Sequence, residues 1–237
     1  MKYSFAGRIR FSESDENGVL SLNSLVNYLQ DCSTFHAEDH QMGLAWSREH
    51  HQAWVLAAWQ ILIDEYPVLG DEVTVSTWAY GFRNCIGYRN YSMEKPDGTL
   101  IVRANSDWVL MDMEKGIPVK VTEEQTNAYG VHPELKLTDD FGPRKIKIPS
   151  EGTVLEPFRI QEYHLDTNHH VNNGQYIQMA YGYLPSGFRT RKLRAEYKMQ
   201  AHLGDCIYPR ISGEENAFVI TLNDEKGEPY FIGEFKQ

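Results

Sequence analysis

The 237-residue sequence is poor in several things, and each scarcity excludes something. Three cysteines, Cys32, Cys85 and Cys206, are an odd number with no close pair, so neither a disulfide framework nor a zinc or dithiol motif is expected. Reduced thiols and the absence of a leader-like apolar block at Met1 to Arg10 predict a cytoplasmic protein. No apolar run approaches the roughly 20 residues of a spanning helix, so no membrane partner is expected. Cations are outnumbered: Lys plus Arg total 23 against 33 acids, a formal net charge of −10. That balance argues against nucleic acid, which is bound through an excess of Lys and Arg. The isolated glycines form no phosphate-cradling loop, and no cofactor is expected.

What the sequence has in abundance is self-similarity. One constant spacing carries Arg8, Ile9, Asp15 and Asn17 onto Arg159, Ile160, Asp166 and Asn168. A second echo joins Leu69-Gly70-Asp71 to Leu203-Gly204-Asp205 at a shorter spacing, and a third joins Asp97-Gly98 to Lys226-Gly227. Matches in the same order imply duplication, with the second copy shorter between its helix and its first long strand.

Each copy predicts an extended start, a polar loop, a helix and then four strands. Leu22, Leu25, Val26, Leu29 and Cys32 fall on one helical face, with Ser21 or Asn23 as N-cap. In the second copy the run is Tyr176, Ile177, Ala180, Tyr183 and Leu184, closed by Pro185 and Gly187. Segments 54–63, 71–82, 86–93 and 100–111, and then 192–199, 206–211, 218–222 and 230–235, are rich in β-branched and aromatic residues. The expected fold is α+β: two tandem hotdog repeats, each a long helix wrapped by an antiparallel sheet. The predicted layout is an N-terminal repeat over 1–121, a connector over 122–150 lying on the surface, and a C-terminal repeat over 151–237.

The densest polar stretch is Tyr163 to Asn173, immediately before the second helix. In an extended loop Asp166, Asn168 and His170 would point the same way, and the helix behind them offers free N–H groups to an oxyanion. Asp15 and Asn17 recur in the first copy, which assigns part of this pattern to loop shape. His170 falls on Val19, so the one group that titrates near neutral pH is specific to the second copy.

Asp166-Thr167-Asn168-His169-His170-Val171-Asn172-Asn173 resembles the Asp-x-Asn-x-His-Val-Asn-Asn signature of plant and bacterial acyl carrier protein thioesterases, which are double-hotdog enzymes. Glu196 to Ala201 is loosely similar to a second motif of that family, with Gln200 where the family has an acid and Ala201 where it has a cysteine. The resemblance implies hydrolysis of fatty acyl-carrier thioesters to free acid and carrier thiol. By analogy, Asp166 activates water or attacks, His170 moves the proton, and Asn168 orients a partner or binds the thioester oxygen. Gln200 can hold a water but cannot take its proton. Asn172 and Asn173 are expected at the substrate, with Trp54, Val55 and Ala57 lining the acyl slot. An acyl-CoA thioesterase, a hotdog hydratase and a non-enzymatic acyl sensor are the alternatives.

An acidic carrier needs local cations on an acidic enzyme. Arg189, Arg191, Lys192 and Arg194, with Lys198, form one candidate docking cluster, and Arg144, Lys145 and Lys147 a second. A monomer or homodimer is expected. His36 and His40 sit one helical turn apart but match no zinc motif, and the cluster His164, His169 and His170 has the simpler catalytic reading, so no metal is expected.

Overall fold

The computed structural model describes residues 2–237. Two compact units emerge among the described residues, one of residues 2–57 and 61–141, the other of residues 58–60 and 142–237.

The first unit opens with β1 (Tyr3–Arg8), whose side chains alternate between half-buried and exposed. Helix α1 (Leu22–Asp39) begins at Ser21, whose hydroxyl accepts from the Ser24 N–H. Its buried stripe, Leu22, Leu25, Val26, Leu29, Cys32 and His36, has the 3.6-residue period of a helix covered on one side. Leu25 and Leu29 are fully buried, each contributing about 1.5–3 kcal/mol by leaving water. A short helix, α2 (Leu44–His50), precedes the strands β2 (Gln52–Ile63), β3 (Glu72–Arg83), β4 (Ile86–Glu94), β5 (Leu100–Asp112) and the brief β6 (Ile117–Pro118). Their order is β1-β3-β4-β5-β2; β1, β3, β4 and β5 pair antiparallel in turn. Helix α1 packs on β3, where the Cys32 thiol donates to the Val75 carbonyl.

The stretch 122–141 is held to this unit. Helix α3 (Glu123–Tyr129) begins in a capping box between Thr122 and Gln125. Beyond it, the Trp78 indole donates to the Leu135 carbonyl, the Leu137 N–H to Asn90 Oδ1, and Arg103 pairs with Asp139 at 2.8 Å. Sequence periodicity did not foretell α3, because a helix this short carries little more than its cap.

In the second unit, β7 (Thr153–Val154) and β8 (Phe158–Arg159) form the extended start. Helix α4 (Asn173–Tyr181) follows, then β9 (Lys192–Tyr197), β10 (Cys206–Glu214), β11 (Ala217–Asn223) and β12 (Pro229–Lys236), in the order β9-β12-β11-β10-β7. Helix α4 packs on β11 and β12, with the Tyr176 ring stacked on Phe231 at 5.8 Å. It has 9 residues against 18 for α1, so the expected long helix is present in full only in the first copy. Each unit is thus a helix on an antiparallel sheet, the α+β hotdog arrangement. Every long strand predicted from the sequence is present; β9 ends at Tyr197, leaving Gln200 in the loop beyond it. Among the described residues no helix is long and apolar enough to cross a membrane.

Candidate active site

The loop before α4 is a closed turn, not the extended segment expected. The Asp166 N–H donates to the His170 carbonyl at 2.8 Å and the His169 N–H to the Asp166 carbonyl at 3.1 Å. Asp166 Oδ1 accepts from the N–H groups of Asn168 at 2.8 Å and His170 at 3.3 Å. His169 takes the left-handed conformation this turn requires, at φ 60°. The side chains therefore fan out around the turn. Asp166 and His170 are half-buried, while Asn168 is exposed.

The first copy contains the same turn, bond for bond. Asp15 Oδ1 accepts from Asn17 at 2.9 Å and Val19 at 3.0 Å, Asp15 N–H donates to the Val19 carbonyl at 2.7 Å, and Gly18 has φ 72°. The bridges Ser14–Leu20 and Leu165–Val171 close the two loops alike. Arg8 and Arg159 each donate to the glycine carbonyl of the matching Leu-Gly-Asp segment. The Asp-x-Asn pattern is accordingly a loop-building device in both copies, and only the second attaches an imidazole to it.

Asn172 does not face outward for a ligand: its Oδ1 accepts from the Gly174 N–H at 2.8 Å and caps α4. The Asn173 carbonyl accepts from the Tyr197 hydroxyl at 3.0 Å. His164 is buried, its Nδ1 accepting from the Gln161 N–H at 3.0 Å, so it belongs to the loop's scaffold. The segment after β9 is tied to the same loop: the Val171 N–H donates to the Ala201 carbonyl at 3.2 Å, and the Ala201 N–H to the Tyr176 hydroxyl at 2.8 Å. Gln200 is exposed on this segment.

That tether brings in a residue the sequence reading missed. The His202 ring lies edge-on to His170 with centroids 4.9 Å apart. Burial, then His202, holds the His170 imidazole below its ordinary value, outweighing the opposite pull of Asp166. His170 is thus unprotonated at neutral pH, the state a base requires. The signal for His202 was available one residue before the Leu-Gly-Asp echo, where the first copy has Val68.

Trp54, Val55 and Ala57 all lie on β2 and are half-buried, but alternation along a strand puts Trp54 on the face opposite Val55 and Ala57. One wall cannot hold all three. Trp54 instead joins Phe82 at 5.9 Å and Tyr129 at 6.3 Å. Gly87 allows this approach, since a Cβ there would meet Phe82 and Trp54 at 3.1 Å.

Of the expected docking cations, Arg194 drops out. It is 7% exposed, pairs with Glu234 at 2.7 Å and donates to the Pro143 carbonyl at 2.5 Å. Both faces of β9 are covered, Arg194 and Glu196 lying under the segment 143–146, whereas Arg191, before the strand, is exposed. The same contacts bring the two cation clusters together: Arg194 holds Pro143, and buried Glu196 accepts from the Ile146 N–H. Exposed Arg144, Lys145 and Lys147 thereby share the second unit with Arg189, Arg191 and Lys192. Lys198 is engaged by Glu196 at 3.3 Å.

The remaining candidates are structural. His36 is buried, its Nδ1 2.9 Å from Arg89, and burial followed by Arg89 and His40 pushes its pKa down to about 3. Burial pushes the Cys32 thiol up to about 12, far from a reactive thiolate.

A duplicated unit of this kind, with a histidine-bearing loop in the second copy alone, defines the class as a double-hotdog protein. Comparison with known proteins makes the assignment narrower. The family model for the acyl-ACP thioesterase N-terminal domain matches residues 1–129, and that for the C-terminal domain matches residues 149–228. The chain belongs to the acyl-ACP thioesterase family. It is 29% identical over 243 residues to oleoyl-acyl carrier protein thioesterase 2, chloroplastic, of Arabidopsis thaliana, covering 92% of this chain and 65% of that one. Among structures, it is similar to an acyl-ACP thioesterase from Bacteroides thetaiotaomicron (TM-score 0.83, 23% identity, covering 99% of this chain and 97% of that one). It also resembles the 12:0-ACP thioesterase from Umbellularia californica (TM-score 0.86, 18% identity, covering 99% and 96%). The chain spans about half the length of several curated plant relatives it matches, 44% of one and 55% of another.

Proposed function

We propose that this protein hydrolyses the thioester of a fatty acyl-acyl carrier protein, releasing the free fatty acid and the carrier thiol. The observation that carries the reading is the paired turns: one hydrogen-bonded scaffold built twice, with an imidazole on the second alone. In this reading His170 takes a proton from water as the water oxygen bonds to the thioester carbonyl carbon. The C–S bond then breaks and the proton passes to the departing sulfur, so no proton is gained or lost. Asp166 holds the loop through Oδ1 and stabilises the imidazolium that forms, and Asn168 supplies an amide for the thioester oxygen or the water. Gln200 holds a water without deprotonating it. Cys206 has no part, since the family's cysteine position is Ala201.

The acyl chain is assigned to the aromatic wall of Trp54, Phe82 and Tyr129, and carrier docking to Arg144, Lys145, Lys147, Arg189, Arg191 and Lys192. Three free cysteines support a reducing, cytoplasmic setting. The test is to incubate the protein with matched acyl-carrier and acyl-CoA thioesters and assay free thiol. Hydrolysis of the carrier form, lost by at least about 100-fold in His170→Ala, is expected. Preference for the CoA form sinks the carrier assignment, and thiol from neither sinks hydrolysis.

A further inference from the structure

The duplication offers an internal control for each functional residue. In the first copy, Val19 and Val68 face each other as an antiparallel bridge at the mouth of the loop. Their counterparts in the second copy are His170 and His202, whose rings meet edge-on at 4.9 Å. Two hydrogen bonds of this framework recur in both copies, although the Val19–Val68 bridge itself, with the Leu69 N–H donating to the Gly18 carbonyl at 2.8 Å, belongs to the first copy. The N–H groups of Val68 and His202 each donate to the aspartate two residues past their leucine, Asp71 and Asp205, at 2.9 Å. Leu20 and Val171 donate to the carbonyls of Pro67 and Ala201, the residues just before Val68 and His202. An apolar pair in one repeat is an imidazole pair in the other, on a scaffold that needs neither. Loop shape therefore does not account for His202.

We propose that His202 is a positioning residue for His170: it fixes the orientation of the His170 ring by edge-on packing and disfavours its protonation by placing a second imidazole beside it. The role fits what the rest of the site lacks. Gln200 cannot ionise, so no acid stands there to hold His170 or share its proton. The ionisable groups around His170 are His202, Asp166 and His169; the two histidines oppose its protonation and Asp166 favours it. Two positively charged rings at this separation would repel, so the second imidazole works against a proton on His170. The second ring thus favours the neutral form of the base against the opposite pull of Asp166. What the pair does chemically rests on the hydrolase reading above; that the two rings are in contact does not.

The experiment follows the His170 ring by NMR across a pH titration, in the wild type and in His202→Phe, with His170→Gln to assign the signal. Phenylalanine keeps an edge-on ring and removes the charge, so the His170 pKa should rise by at least about 0.5 pH units. The acid limb of kcat/KM should move up in pH by the same amount while KM is unchanged. His202→Ala, which also removes the packing, should lower kcat by about 10-fold at an unchanged KM. His202 is exposed, and thermal melts should place both variants close to the wild type. An unchanged His170 titration in His202→Phe overturns the proposal, as does wild-type kcat in His202→Ala. A shifted titration in a protein that cleaves no thioester supports the pairing and removes the proposed reaction instead.

Discussion

Asp166 and His170 are locked together through their backbones. The aspartate N–H donates to the histidine carbonyl at 2.8 Å, and the histidine N–H returns to Asp166 Oδ1 at 3.3 Å. The carboxylate therefore sets the position of the imidazole before either meets a substrate, and removing it affects shape and chemistry together.

Asp15 separates these effects, because it makes the same turn with no imidazole attached. Asp166→Ala and Asp15→Ala should each lose about 1–3 kcal/mol in urea unfolding, the cost of leaving backbone N–H groups unpaired. Only Asp166→Ala should also lower kcat by at least about 100-fold. Equal loss of turnover in both folded variants would mean that the aspartate serves structure alone.

His36 predicts a pH dependence of stability. Its folded pKa, about 3, lies below its ordinary value near 6.5, so the folded state favours the neutral ring. That contribution is fully present above about pH 6.5 and is lost as pH falls toward 3. His36→Gln retains an acceptor for Arg89 and cannot titrate there. Its urea midpoint should fall less steeply between about pH 6.5 and 3 than that of the wild type. Parallel curves would show that His36 ionises no harder in the folded state than in the unfolded chain.

Arg194 and Lys145 should behave oppositely. Arg194→Met leaves half-buried Glu234 with Lys236 at 3.2 Å as its remaining cation and strands the Pro143 carbonyl, and should cost about 1–3 kcal/mol in unfolding free energy. Lys145→Glu together with Lys147→Glu should leave the melting temperature near wild type while raising KM for the carrier substrate several-fold, more so at low salt. An unchanged KM would move the docking face elsewhere.

Cys206→Ala should retain turnover within about two-fold when measured beside the wild type. Cys32→Ala should reduce stability, since its thiol is fully buried against β3, with little change in kcat. A dead Cys206→Ala enzyme that still folds would restore a thiol mechanism.

The long strands and α1 were legible because each announces itself within a few residues, whereas the short α2 and α3 were not. The stripe Leu22, Leu25, Val26, Leu29 and the turn Pro96-Asp97-Gly98 need no distant partner to be read, and the repeat supplied the order of elements twice. The turn at Asp166 was legible in its residues but not its form. Asp-x-Asn read as alternation, whereas the carboxylate folds back onto its own backbone, a choice made by local hydrogen bonding that periodicity does not register.

The sequence by itself determined the duplication, the positions of the long strands, the helical face of α1 and the confinement of the loop imidazole to the second copy. Each depends on spacing along the chain. Only the tertiary structure decided that His202 meets His170, that Arg194 turns inward to Glu234, and that β9 holds 143–146 beside it. All three join residues far apart in sequence. Packing chooses among such pairings after the local elements have formed, and no single stretch of chain records the choice.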